Sequence, residues 1–168
     1  MRKNLFYIFF FFPVCVYSQN ITIKQSNAEE LKKLVVKDSL TLFYFWGTWC
    51  HPCIEKLSEI VKIAKESNTV NLIIVCDPLS KTKDIFRFVK SSGYSDSSIY
   101  QLDKNYYNKS ATKNIQKFTV EFCPSCANES GSYIFSGAYL YDKGGNLKFY
   151  NKSSLYIQEL RELLKKSQ

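Results

Sequence analysis

No block of like charge runs anywhere along this chain, and that absence removes one class of function at the outset. Its 23 Lys and Arg outnumber its 15 Asp and Glu, for a net charge of +8. The lysines are nevertheless scattered as on a solvated surface, with no nucleic-acid motif among them, so nucleic acid is not an expected partner. Internal repeats and low-complexity linkers are also missing, which leaves neither a solenoid nor a string of tethered modules to consider. Proline is scarce, at positions 13, 52, 78 and 124 alone. Long hydrophobic runs are absent as well: the longest, Leu5 to Val16, is too short for a comfortable membrane span. Arg2 and Lys3 precede that run, and the small residues Val16 and Ser18 occupy the −3 and −1 positions before Gln19. Residues 1–18 are therefore expected to be an export signal.

Removal of that signal leaves residues 19–168, enough for one domain with a real core and too few for two ordinary ones. Arg2 and Lys3 depart with no acid, so the net charge falls to +6. Export places the protein in a bacterial periplasm or cell envelope, where disulfides persist. Five cysteines remain: the pairs Cys50/Cys53 and Cys123/Cys126, and the single Cys76. Cys76 closes the run Leu72-Ile73-Ile74-Val75 and is expected to be a small core hydrophobe.

Periodicity supplies the scaffold. Ser26 or Asn27 can cap a helix from Ala28 to Val36. Apolar strands are expected over Leu40–Trp46 and Val70–Cys76, the latter parallel and covered on both sides. Between them, Ile54, Leu57, Ile60, Val61 and Ala64 recur at helical spacing. A helix over Ser80–Val89 should turn Ile85, Phe86 and Val89 inward. A short strand at Ile99–Leu102 and a short helix at Ala111–Phe118 come next. Tyr133–Tyr141 and Leu147–Tyr150 flank Asp142-Lys143-Gly144-Gly145-Asn146, a hairpin signal because glycine supplies positive φ. Leu155 to Lys166 closes the chain as an amphipathic helix. This order predicts an α/β fold, a mixed central sheet flanked by helices on both faces.

The chemistry concentrates at Trp49-Cys50-His51-Pro52-Cys53, directly after the first apolar strand. Two thiols separated by two residues at a helix start can close a disulfide with little backbone movement. The first lies where unsatisfied N–H groups and the helix dipole favour a thiolate. Pro52 suits the first turn, where its missing N–H would have no partner. His51, when protonated, stabilises the neighbouring thiolate and makes the disulfide more oxidising; about 30 mV corresponds to about 1.4 kcal/mol for this two-electron couple.

The segment Thr41 to Leu57, TLFYFWGTWCHPCIEKL, resembles the active-site segment of the thioredoxin superfamily, and more narrowly the exported thiol–disulfide oxidoreductases of the TlpA type. That resemblance implies a thioredoxin-like fold with an inserted segment at about residues 100–131, before the last hairpin. It implies Cys50 as the exposed attacking thiol, Cys53 as the buried resolving thiol, and Trp49 as the aromatic beside them, with Trp46 packed inside the strand–helix junction. Client protein disulfides or dithiols become the expected partners, with a membrane partner able to recycle the site. Neither a cofactor nor a metal is called for. The substrate groove is expected at Trp49, Pro52, Phe135 and Ser136.

Two departures from the family pattern stand out. Tyr44 occupies the place where thioredoxins proper carry a buried acid. Ser136 falls where the family has a cis-proline facing the Cys pair, and none of the four prolines lies near it. Cys123-Pro124-Ser125-Cys126 is no fixture of the family, and three readings of it stay open: a disulfide pinning the insert, a redox pair exchanging with Cys50/Cys53, or a zinc site made with that pair. The rivals to an oxidoreductase are accordingly a redox-quiet binding module of the same fold and a metal-binding protein using both pairs.

Overall fold

All seven residues of the first strand expected from the sequence, Leu40–Trp46, are buried, because the strand lies at the middle of the sheet with helices over both faces. In the computed structural model, which describes residues 21–67, 69–96, 98–129, 137–151 and 156–166, six strands are ordered β1-β4-β3-β2-β5-β6. They are β1 Thr22–Ser26, β2 Leu40–Trp46, β3 Val70–Cys76, β4 Ser98–Leu102, β5 Gly137–Tyr141 and β6 Leu147–Tyr150. Strands β1, β4, β3 and β2 are mutually parallel, whereas β5 and β6 run antiparallel. The helices are α1 Ala28–Lys32, α2 His51–Glu66, α3 Thr82–Ser91, α4 Ala111–Phe122, α5 Pro124–Glu129 and α6 Tyr156–Lys166.

Alternation along β2 divides the core in two. Leu42, Tyr44 and Trp46 point to the face covered by α2, α3 and α6, where Leu57, Ile60, Ile85, Leu160 and Leu164 are buried. Phe43 and Phe45 point to the other face, against Leu31 of α1 and Phe118 and Phe122 of α4. There the rings meet edge to face: Phe43 and Phe122 have centroids 5.1 Å apart, Phe45 and Tyr139 5.4 Å. Such pairs add about 0.5–1.5 kcal/mol each beyond the area they bury.

Several boundaries differ from the sequence expectation for identifiable reasons. α1 begins with a capping box, in which Asn27 Oδ1 accepts from Glu30 N and Glu30 Oε2 from Asn27 N. It stops at Lys32 rather than Val36, because the backbone tightens into three-residue turns at Leu34 and Val35 and the Val36 N–H donates to Thr41 Oγ1. On α3, Phe86 does not face inward: it is exposed, and Phe88 packs edge-on against Trp46 instead. α4 extends to Phe122, past the expected end at Phe118. Tyr100–Leu102 lie within β4, so the segment added before the last hairpin starts at Asp103 and contains α4 and α5. β1 and α5 have no counterpart in the sequence reading. In the hairpin, Gly145 adopts φ +80°, the left-handed conformation the turn requires. Residues 1–18, 133–136 and Leu155, for which expectations were stated, lie outside the described residues.

Candidate active site

β2 delivers the chain to the carboxyl edge of the parallel strands, and α2 starts five residues later. Cys50 is the N-cap residue of α2, and Pro52 is the second helical residue. A turn closed by Cys50 N donating to Gly47 O, at 3.0 Å, links the end of β2 to α2. Cys50 and Cys53 form a disulfide with a Cα–Cα distance of 5.2 Å. The two sulfur-bearing residues are unequally placed: Cys50 is half-buried, while Cys53 is completely enclosed in the α2-side core. The cysteine nearer solvent is thus also the one at the positive end of a 16-residue helix, which favours a thiolate there once the disulfide opens.

His51 is exposed, and its Nδ1 lies 3.5 Å from Glu55 Oε1 on the next turn. Trp49 is 48% exposed and forms a rim beside the disulfide, whereas Trp46 is buried at the junction of β2 with the helices, as expected. Tyr44, in the place where thioredoxins proper carry a buried acid, donates its hydroxyl to the backbone carbonyl of Cys53 at 2.7 Å. It therefore braces the first turn of α2 from below.

One site residue escaped the sequence reading. Asp77 follows the last residue of β3, and its backbone N–H donates to Trp46 O. Its carboxylate is buried, accepting from Trp49 Nε1 at 3.1 Å and from Ser80 Oγ at 2.6 Å. Ser80 Oγ in turn accepts from the Thr48 N–H at 2.9 Å. This chain of bonds fixes the Gly47–Trp49 loop from the neighbouring strand. The available signal was positional: polar residues just past the carboxyl ends of parallel strands line the crevice where α/β sheets act. The adjacent Cys76 is a free, buried thiol whose pKa is pushed up by burial, so it is inert packing as expected.

The second cysteine pair lies elsewhere. Cys123 and Cys126 form their own disulfide on the aromatic face of the sheet. Cys123 shares a cleft with Tyr141 and Lys143, and Tyr141 pairs with Thr41 at the start of β2, about 16 Å of strand from Trp46. The two pairs thus occupy opposite faces and opposite ends of the sheet. A zinc site shared between them is not assembled, and among the described residues no group of three or more His, Cys, Asp or Glu is placed to hold a metal. Direct exchange between the pairs within one molecule is excluded by the same separation. Trp49, Cys50, His51, Pro52 and Cys53 are contiguous at one site; Phe135 and Ser136 lie outside the described residues, which resume at Gly137, opposite Phe45.

No protein-family model and no curated protein matches the sequence. Solved structures do match its fold. MTB dsbF, in mixed oxidised and reduced forms, superposes with a TM-score of 0.54 at 15% identity over 80% of this chain and 84% of that one. A secreted Mycobacterium tuberculosis disulfide oxidoreductase, described as homologous to E. coli DsbE, gives 0.55 at 10% identity over 78% and 84%. A DsbF homologue from Corynebacterium diphtheriae gives 0.55 at 16% identity over 79% and 73%. Likeness at these identities is likeness of fold: the chain has the thioredoxin fold, and Cys50–Cys53 forms a disulfide at the start of its α2.

Proposed function

We propose that this protein is an exported thiol–disulfide oxidoreductase of the TlpA kind, acting on client proteins through Cys50 and Cys53. The observation that carries the reading is the asymmetry of the pair, with Cys50 half-buried at a helix N-terminus and Cys53 enclosed behind it. In the reducing direction, the Cys50 thiolate attacks a client disulfide, a Cys50–client bond forms, and the second client sulfur leaves as a thiolate. Cys53 then attacks Cys50 Sγ, the Cys50–Cys53 bond re-forms, and the client departs as a dithiol. The enzyme's disulfide is afterwards reduced by a membrane dithiol partner.

Residues 1–18 serve as the export signal and residues 19–168 as the catalytic domain. Trp49 and Pro52 shape the client groove, to which the sequence reading also assigns Phe135 and Ser136; His51 tunes the potential. Asp77 is a positioning residue that holds Trp49 and the loop before Cys50. A titration against a dithiol buffer, read by alkylation and peptide mass spectrometry, tests the reading. The Cys50–Cys53 couple should cycle reversibly, and the reduced protein should cleave a small reporter disulfide. A pair that neither cycles nor cleaves it would make the protein a redox-quiet binding module of the same fold.

A further inference from the structure

Cys123–Cys126 carries more than a staple needs. It joins residues three apart, and the entropy a cross-link removes from the unfolded chain grows with loop length, so this span is among the least rewarding. Cys123 also forms part of the wall of a cleft of about 440 Å³, within the roughly 300–1,000 Å³ of small-molecule sites. Cys126 is buried and is not part of that wall.

The cleft has a definite charge. Lys32, Lys37 and Lys143 line it, and no acidic side chain does. Of the acids on the adjoining elements, Glu121 accepts from the hydroxyls of Tyr106 and Tyr107, and Asp142 from its own turn amides and Lys148, while Asp38, next to Lys37, is exposed and does not line the cleft. Cys123 is only 4% exposed, so its sulfur is recessed beyond the reach of a disulfide in a folded protein. A small molecule can enter, and the ammonium groups of Lys37 and Lys143 select an anion, while that of Lys32 donates to the Glu121 carbonyl at 2.6 Å.

We propose that Cys123–Cys126 is a second thiol–disulfide exchange site, separate from Cys50–Cys53, that takes a small anionic thiol in the lysine-lined cleft. A thiolate of that class attacks Cys123 Sγ; the new mixed disulfide forms, the Cys123–Cys126 bond breaks, and Cys126 leaves with the electron pair and takes a proton. A second thiolate attacks the small-molecule sulfur of the mixed disulfide. This releases the oxidised small disulfide and leaves Cys123 reduced, beside the Ser125 hydroxyl 3.5 Å away. Two small thiols are oxidised for each protein disulfide reduced.

The test uses the folded, full-domain protein, reduced glutathione as the anionic probe and 2-mercaptoethanol as the neutral one. Acid quenching and peptide-resolved alkylation read each cysteine pair separately. Glutathione should reduce Cys123–Cys126 in the folded protein, with the transient adduct on Cys123, and should keep doing so in a Cys50→Ala/Cys53→Ala protein whose fold is verified by circular dichroism. Lys37→Gln/Lys143→Gln should slow the glutathione reaction about tenfold, leaving the 2-mercaptoethanol reaction and the Cys50–Cys53 rates unchanged. The proposal is overturned if the pair stays oxidised until the wild-type protein unfolds, if the adduct sits on Cys126, or if the lysine substitutions slow both thiols alike. Because each pair is read on its own peptides, failure here is distinct from failure of Cys50–Cys53 to cycle.

Discussion

Replacing Asp77 with Asn tests whether the loop before the disulfide is held from the next strand. The carboxylate accepts two bonds, from Ser80 Oγ at 2.6 Å and from Trp49 Nε1 at 3.1 Å. Asparagine keeps the shape but offers a single carbonyl oxygen, so one donor loses its acceptor and the surviving bond loses its charge assistance. Bonds to charged groups contribute about 1.5–3 kcal/mol and neutral ones about 0.5–1.5. Trp49 is half in water and its bond counts for less, so the expected loss is about 2 kcal/mol, mostly from buried Ser80. With a urea slope near 2 kcal/mol/M, the unfolding midpoint should drop by about 1 M. The Ser80→Ala protein should lose a similar amount and the double variant less than the sum, with a coupling of about 1 kcal/mol. Acrylamide quenching supplies the local readout, because Trp46 is buried and the accessible indole signal belongs to Trp49; quenching and disorder of that ring should both rise in Asp77→Asn. Additive losses with unchanged quenching would show that Asp77 stabilises its own strand end and does not position the active-site loop.

Under the proposed roles, replacing Cys53 with Ser removes the resolving thiol and should trap mixed disulfides on Cys50 in an envelope extract; no capture by a protein whose wild type cleaves a reporter disulfide would refute those roles. Changing His51 to Ala should lower the redox potential and raise the Cys50 pKa, by less than about 30 mV because the ring is exposed and faces Glu55; superimposable thiolate absorbance curves would reduce His51 to a bystander. Burial pushes Tyr139 and Tyr141 up to about 12 from an ordinary value of 10. A raised folded-state pKa gives stability that is complete below pH 10 and lost as pH climbs through 12, so the urea midpoint should fall across that window, and Tyr139→Phe/Tyr141→Phe should flatten the fall. Tyrosinate absorbance appearing at pH 10 from these two rings in the folded protein would contradict their burial.

The parts of the fold that could be read from the sequence are those where burial on two sides leaves little choice of residue. β2 and β3 came out residue for residue because each is covered on both faces and so writes a continuous apolar run. β1 wrote no such signal: it is an edge strand of Thr22-Ile23-Lys24-Gln25-Ser26, mostly exposed, whose place depends on pairing with β4. On α3, Ile85 and Val89 fix the buried line, and Phe86 and Phe88 flank it on either side. The choice between them is made by Trp46, which lies against Phe88, and helical spacing contains no information about that partner. The candidate site divides the same way. Cys50 and Cys53 are contiguous in sequence and were visible as a motif. Asp77 is 27 residues away from Cys50 and joins it only because β3 pairs with β2 in register, with Trp46 opposite Cys76.

The two C-x-x-C pairs show most plainly what a local motif omits. Each has proline inside the pair, each precedes or opens a helix, and each closes a disulfide with Cα atoms just over 5 Å apart. Their physical settings diverge because of the directions in which their elements run. β2 points its carboxyl end at Cys50, so that cysteine emerges at the edge where parallel strands leave a crevice and where Trp49 and Asp77 converge. α4 carries the chain down the opposite face, from Phe118 near Phe45 to Cys123 near Tyr141, so the second pair arrives at the other end of the sheet. The first pair has an exposed rim beside it, and the second has a recessed sulfur in a cleft lined by lysines. Identical spacing therefore places the two pairs in different environments, and strand direction, not the motif, decides which environment each meets.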